Sequence, residues 1–227
     1  MRKFEPFMYL TLPLKSRSTS VESAIEDFCT EETMQGDNSW YCSTCKEHVR
    51  ATKKFDIWKV PPVLIVHLKR FNSDGRGRGS KINNLVKYPV VDFDMAPFIK
   101  SPNLPASTSY DLYSIAQHHG GSNGGHYTSL GKSRVDGGWY DLNDSHASRA
   151  SQADVDGNSA AYVLFYANMV DGDEGGETKT ASGRTTQKVR RQSITMPHLW
   201  PHIADSQGGT ALDLRASLRT QTQEEDE

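Results

Sequence analysis

The 227-residue chain carries 26 Lys and Arg against 28 Asp and Glu, a formal net charge of −2, and 36% of its residues are hydrophobic. This balance gives no bulk attraction to nucleic acid or an anionic membrane, so any binding function is local. Three cysteines, Cys29, Cys42 and Cys45, are too few for a disulfide scaffold at this length. They fit a reducing compartment and an intracellular protein.

The opening "MRKFEPFMYLTLPL" sets Arg2 and Lys3 before an apolar run, but Glu5, Pro6, Thr11 and Pro13 interrupt it, so it does not read as a secretory signal. No stretch approaches the roughly 18 apolar residues of a membrane span. The first helix falls in "TSVESAIEDFC". Thr19 caps it, Glu22 follows three residues on, and Val21, Ala24, Ile25 and Phe28 make one apolar face. Cys29 ends that helix, where the dipole disfavours a thiolate, so it reads as a structural cysteine and not a nucleophile.

In "YCSTC", Cys42 and Cys45 form a C-x-x-C knuckle, half of a tetrahedral zinc site. His48 lies close, but its spacing is unlike the usual ligand pairs, and no second cysteine pair follows downstream. "PPVLIVHLKRF" is a strand behind two prolines that bar a helix start. "YDLYSIAQHH", "GHYTSL", "GWYDL" and "AAYVLFY" follow as short strands between Gly, Asn, Asp and Ser clusters. Residues 1–168 therefore read as one α+β domain built on a mostly antiparallel sheet. From 169 to 227 the chain is too poor in aliphatic and aromatic residues to offset its ordering entropy, so a disordered tail is expected. Within it "RRQSITMP" offers Ser193 to a basic-directed kinase, and "MPHLWPHI" is a short apolar cluster.

The chemistry concentrates in "GGHYTSLGKSRVDGGWYDLNDS", residues 124–145. Two glycines before His126 permit positive φ and a close substrate approach. Strand alternation puts Trp139, Asp141 and Asn143 on one face and Tyr140, Leu142 and Asp144 on the other. If Leu142 packs inward, Asn143 faces the cleft and its oxygen takes the Nδ1 proton of His126, leaving Nε2 as the base. Asp144 is the alternative partner. On spacing alone, a hairpin histidine beside a polar turn is an equal reading.

"FEPFMYLTLPL", "WYCSTC", "FDIWKVPPVLIVHLKRF" and "YDLYSIAQHHGGSNGGHYTSLGKS…GGWYDLNDSHASRAS…AAYVLFY" stand in an order and spacing that resemble the ubiquitin-specific proteases. These are papain-like cysteine isopeptidases, and the flavour is closest to the endosomal-sorting member. The resemblance covers roughly residues 4–167 and implies a palm with part of the fingers.

It makes His126 the general base, Asn143 the third triad member and Asp144 the acidic residue that often follows. It makes Cys42 and Cys45 the second knuckle of a zinc ribbon, so a structural Zn²⁺ is expected here only as a half-site. Gly120, Gly121, Gly124, Gly125 and Tyr127 would line the channel for the Gly-Gly tail of ubiquitin, with Arg70 and Phe71 beside it and "NSDGRGRGSK" as a blocking loop. The implied partners are ubiquitin and ubiquitinated proteins, with no nucleic acid and no membrane span. The implied location is cytoplasmic, with endosome association.

Nothing in the sequence matches the family's cysteine box, thumb or first knuckle. The expectation is the C-terminal half of a catalytic domain, a thiol-dependent ubiquitinyl hydrolase by family but a fragment inactive by itself. The alternative is a non-catalytic ubiquitin-binding module.

Overall fold

The computed structural model describes residues 3–15, 18–73, 79–171 and 191–193. Strand β1 (Tyr9–Pro13) leads into helix α1 (Val21–Phe28). Four short strands follow, β2 (Glu32–Met34), β3 (Trp40–Cys42), β4 (Glu47–Val49) and β5 (Ala51–Lys53), paired antiparallel as β2 with β5 and β3 with β4. Next come β6 (Val63–Lys69), the ribbon of β7 (Phe71–Ser73) and β8 (Gly79–Lys81), and the two-residue β9 (Phe93–Asp94). The long hairpin of β10 (Ser109–Gly121) and β11 (Gly124–Lys132) is followed by β12 (Trp139–Asn143) and β13 (His146–Arg149). A short helix α2 (Gln152–Asp156) precedes β14 (Ala161–Asp171) and β15 (Arg191–Ser193).

Among the described residues the main sheet runs β1-β6-β14-β10-β11-β12-β13, with β9 on β10 and β15 on β14. Only β1 with β6 is parallel there; the other pairs are antiparallel, as the strand patterns imply. Alternation in β6 sets Leu64, Val66 and Leu68 fully inside and leaves Val63, Ile65 and His67 half-buried. The carbonyls of the two prolines before it are used: Tyr110 donates its hydroxyl to Pro61 O and Asn168 its N–H to Pro62 O. Burial of the Tyr110 phenol pushes its pKa up to about 12.

Helix α1 buries Val21, Ala24 and Ile25 completely, and Val21 and Ile25 each contribute about 1.5–3 kcal/mol by removal from water. Its cap is Ser20, not Thr19. Ser20 Oγ accepts from Ser23 N–H at 3.2 Å and Ser23 Oγ from Ser20 N–H at 3.1 Å, a reciprocal box that needs the extended backbone at Ser20 (φ −146°, ψ 165°). The Thr19 carbonyl is engaged instead by Lys87 N–H at 2.9 Å. Sheet and helix share one continuous core.

The boundary expected at residue 168 is passed. β14 continues to Asp171, and β15 pairs with its end, Ser193 opposite Met169 and Arg191 opposite Asp171. Backbone pairing supplies hydrogen bonds there that side-chain composition does not reveal. The remainder of the expected tail, 172–190 and 194–227, and the centre of the expected blocking loop, 74–78, lie outside the described residues. Among the described residues, no helix is long and apolar enough to cross a membrane.

Candidate active site

His126 stands on the exposed end of β11, directly opposite His119 in the β10–β11 ladder. β12 pairs on its other side, with Leu142 opposite Ser129, so Asn143 shares the face of His126 and reaches it diagonally. Asn143 Oδ1 lies 2.7 Å from His126 Nε2. An amide oxygen only accepts, so Nε2–H donates and Nδ1 keeps the lone pair. The pairing of histidine with asparagine follows the sequence expectation, but the nitrogen does not. Nδ1, not Nε2, is the free base, because the ring turns its far edge toward β12. Asp144 Oδ2 stands 3.8 Å from the same Nε2, within charge reach but beyond a hydrogen bond. Asp144 opens the two-residue turn from β12 to β13 with φ 51°.

The premise that Leu142 packs inward does not hold. Leu142 is 37% exposed, while Trp139, on the face of Asn143, is 6% exposed. Asn143 escapes burial because its end of the strand runs past the core.

The four glycines expected to line a channel differ in their surroundings. At Gly120 (φ 124°) a Cβ would lie 2.6 Å from Gly124 O, and at Gly125 it would lie 2.4 Å from both His118 Nε2 and His119 O. Close packing demands glycine at these two. Gly121 and Gly124 close the ladder as its last pair.

Behind Gly125 lies an aromatic wall. His118 is 4% exposed, its ring centroid 4.7 Å from Tyr127 and 5.3 Å from Phe71. Tyr162 completes the group, 5.9 Å from His118 and 4.8 Å from His67. Burial holds the His118 pKa below the ordinary histidine value, with Lys81 and His119 adding to the effect, and its Nδ1 has no partner among the described residues. Lys81 Nζ donates to the His118 carbonyl at 2.5 Å. On the face of His126, His119 Nε2–H donates to Thr128 Oγ1 at 3.1 Å, and the Thr128 hydroxyl donates to Gln117 Oε1.

Sequence reading missed His118, Tyr162 and Lys81. Tyr162 sits at a bulge, since Ala116 pairs with Val163 but Gln117 pairs with Ala161. The extra residue turns Tyr162 onto the aromatic face, whereas simple alternation from buried Leu164 would turn it inward.

Phe71 joins this wall, but Arg70 does not line a channel. It is fully buried and donates from Nε to Ala161 O at 2.7 Å and from Nη1 to Ile82 O and Asn84 O at 2.9 and 2.8 Å. Alternation carries the residue before Phe71 to the opposite side of the chain, where three carbonyls take the Nε and Nη1 donors and Nη2 has no hydrogen-bond partner among the described residues.

The thiols divide as their positions imply. Cys29 caps the C-terminus of α1, half-buried against the core, and burial pushes its pKa up. Cys45 N–H donates to Cys42 Sγ at 3.4 Å, and this donor leads the effects that pull the Cys42 thiol pKa down. That geometry suits a metal-bound thiolate. His48 does not join them; its Nδ1 faces Ser39 O at 3.2 Å and its ring lies edge-on to Tyr41. Among the described residues no three His, Cys, Asp or Glu side chains converge as a metal site.

A mostly antiparallel sheet that presents a His–Asn pair at a hairpin end has the architecture of a papain-like cysteine peptidase. Residues 7–166 match the family described as ubiquitin carboxyl-terminal hydrolase. Human ubiquitin carboxyl-terminal hydrolase 15 is 45% identical over 154 residues, which cover 68% of this chain and 15% of that protein. Ubiquitin carboxyl-terminal hydrolase 9 of Arabidopsis thaliana is 43% identical over 152 residues, 67% of this chain and 16% of that protein. Among solved structures, the SAGA Ubp8/Sgf11/Sus1/Sgf73 DUB module bound to ubiquitin aldehyde matches with a TM-score of 0.58 and 29% identity, over 71% of this chain and 36% of that one. The chain belongs to the ubiquitin carboxyl-terminal hydrolase family. It spans about a sixth of the length of these curated relatives.

Proposed function

We propose that this chain supplies the general base, its orienting amide and the channel wall of a ubiquitin-directed cysteine isopeptidase. The observation that carries this reading is the 2.7 Å bond from His126 Nε2 to Asn143 Oδ1, which leaves Nδ1 as a fixed base. A thiol that meets Nδ1 loses its proton there, and the thiolate attacks the carbonyl carbon of ubiquitin's last glycine. Nδ1–H then protonates the departing lysine amine, and water hydrolyses the thioester with Nδ1 again as base. Proton transfer of this kind is worth about 10²–10⁴-fold. Asp144 Oδ2, 3.8 Å from Nε2, adds a second polar group on the Asn143 side of the ring. Tyr127, Tyr162 and Phe71 would flank the glycine tail, whose lack of side chains suits the close approach at Gly120 and Gly125. The matched Ubp8 module, bound to ubiquitin aldehyde, supports the choice of ubiquitin.

The three thiols of this chain are poor nucleophile candidates, Cys29 for its raised pKa and helix-end position, Cys42 and Cys45 for their metal-like knuckle. The reading therefore takes the nucleophile from a segment outside these 227 residues and makes the chain inactive by itself. Cys42 and Cys45 would give two thiolates to a structural Zn²⁺ that fastens the β3–β4 turn. Incubation of the purified chain with ubiquitin–fluorophore conjugate should give no turnover; turnover abolished by His126→Ala would refute this assignment.

A second reading is a ubiquitin-binding module without hydrolysis. It is favoured by the aromatic wall, which residues of this chain form unaided. Ubiquitin affinity that drops when its terminal Gly-Gly is removed, with no cleavage, supports it for the isolated chain.

A further inference from the structure

The other end of β11 and β12 holds a second concavity. Lys132 follows His126 by six residues along β11, about 20 Å at the usual strand rise, so this site is separate from the His–Asn pair. Its volume is about 730 Å³, and Tyr88, Val90 and Trp139 contribute to its lining. The aromatic part is well anchored. Trp139 and Tyr88 are 6% and 7% exposed, and the Tyr88 hydroxyl donates to the carbonyl of Val155 in α2.

Leu85 and Val91, also lining it, are 42% and 55% exposed, and the turn that supplies Gly137 carries Val135 at 97%. Single exposed aliphatic residues are ordinary, but Leu85 and Val91 beside one aromatic floor mark an interaction surface.

Its charge adds direction. Lys87 and Lys132 line the groove, and Lys132, though in no ion pair within 4.0 Å among the described residues, also acts electrostatically on Asp111 of β10. Asp156 is the acid in the lining, and its Oδ1 is occupied by Gln152 Nε2 at 2.8 Å. Arg134 lies on the same turn as Val135.

We propose that this groove binds an acidic peptide of a partner protein, with one aliphatic or aromatic side chain on the Tyr88–Trp139 floor and carboxylates at Lys87 and Lys132. Of the two tail segments with a marked character, "EEDE" (224–227) has no apolar residue and "MPHLWPHI" (196–203) has no acid. A partner held about 20 Å from His126 is recruited without blocking the channel.

The probe is a fluorescein-labelled octapeptide with a central Leu-Trp pair flanked by Asp and Glu, compared with a twin carrying Lys for each acid. Anisotropy titration of the full 227-residue chain should show saturable binding, at least 10-fold weaker for the twin and weaker in high salt. The Lys87→Glu, Lys132→Glu double variant should lose at least 10-fold, and Val91→Glu should lose binding as well. His126→Ala should leave probe binding unchanged. If the double Glu variant melts lower than the parent, Lys87→Gln with Lys132→Gln replaces it, with a loss of at least 3-fold expected. Absence of saturable binding, equal affinity for the twin, unchanged binding by the lysine variants, or loss on His126→Ala each overturns the proposal.

Discussion

A single methyl group at position 125 tests how tightly the hairpin beneath His126 is packed. In Gly125→Ala the new Cβ would lie 2.4 Å from His119 O and 2.4 Å from His118 Nε2, where ordinary contact begins near 3.4 Å. Neither neighbour can withdraw easily. The carbonyl belongs to a paired strand, and the imidazole is 4% exposed, wedged against Phe71, Tyr127 and Tyr162. Overpacking costs about 1–3 kcal/mol, and two immobile neighbours place this case near the top. For a domain of this size that corresponds to a fall in melting temperature of about 5–10 °C. Gly121→Ala is the control: its Cβ meets nothing within 4 Å, so a change under about 0.5 kcal/mol is expected. Thermal melts followed by circular dichroism read both. Nitrogen-15 NMR of the His126 ring should show its environment disturbed by Gly125→Ala alone. If Gly125→Ala melts with the parent while Gly121→Ala falls, the packing described for this hairpin is wrong.

Arg70→Ala should lower stability by about 3–5 kcal/mol, because three buried carbonyls lose a charged donor, and Arg70→Lys should not restore it since one ammonium cannot reproduce the fork; chemical denaturation measures both, and near-parental stability with reduced ubiquitin affinity would return Arg70 to a binding role. Burial depresses the pKa of His67 and His118 below the unfolded value, so the folded state binds fewer protons. The stability this contributes is full above about pH 6.5 and is lost as pH falls through the folded values. Melting temperature should therefore decline from pH 7 to pH 5, less steeply in His118→Phe; parallel profiles for the two proteins would exclude His118 as a cause. Iodoacetamide at neutral pH should modify Cys42 before Cys29, whose raised pKa demands alkaline conditions, and added Zn²⁺ should protect Cys42 and Cys45 alone. Peptide mapping that finds Cys29 labelled first contradicts this order.

Local patterns were legible where one strand or helix determines them. The apolar face of α1 and the alternation of β6 follow from spacing, as does the face shared by Trp139 and Asn143. Alternation does not say which face is buried, so the sequence leaves the inward side of β12 as a condition on Leu142, and the structure gives it to Trp139. The resemblance sets Arg70 beside the channel, and its burial is invisible in the sequence because its carbonyl partners come from residues 82, 84 and 161, through long-range packing. Tyr162 was hidden by the bulge in β14, which no residue in "AAYVLFY" announces. The choice between Nδ1 and Nε2 of His126 depends on a rotation of the ring, and no sequence pattern encodes it.

The long hairpin has a root and a tip of unlike character. From Tyr110 to His118, β10 is anchored in or against the core, whereas His119–Gly121 and the facing Gly124–Tyr127 are exposed. Mechanically this is a cantilever, clamped at one end, with His126 on its free span. Local opening of the span breaks the Tyr127 contacts with His118 and Tyr162 but leaves the core intact, so it proceeds below the free energy of global unfolding. The tip can thus adjust to an arriving peptide while the clamped portion keeps the sheet intact, and amide exchange along a single strand should grade from slow to fast within a dozen residues.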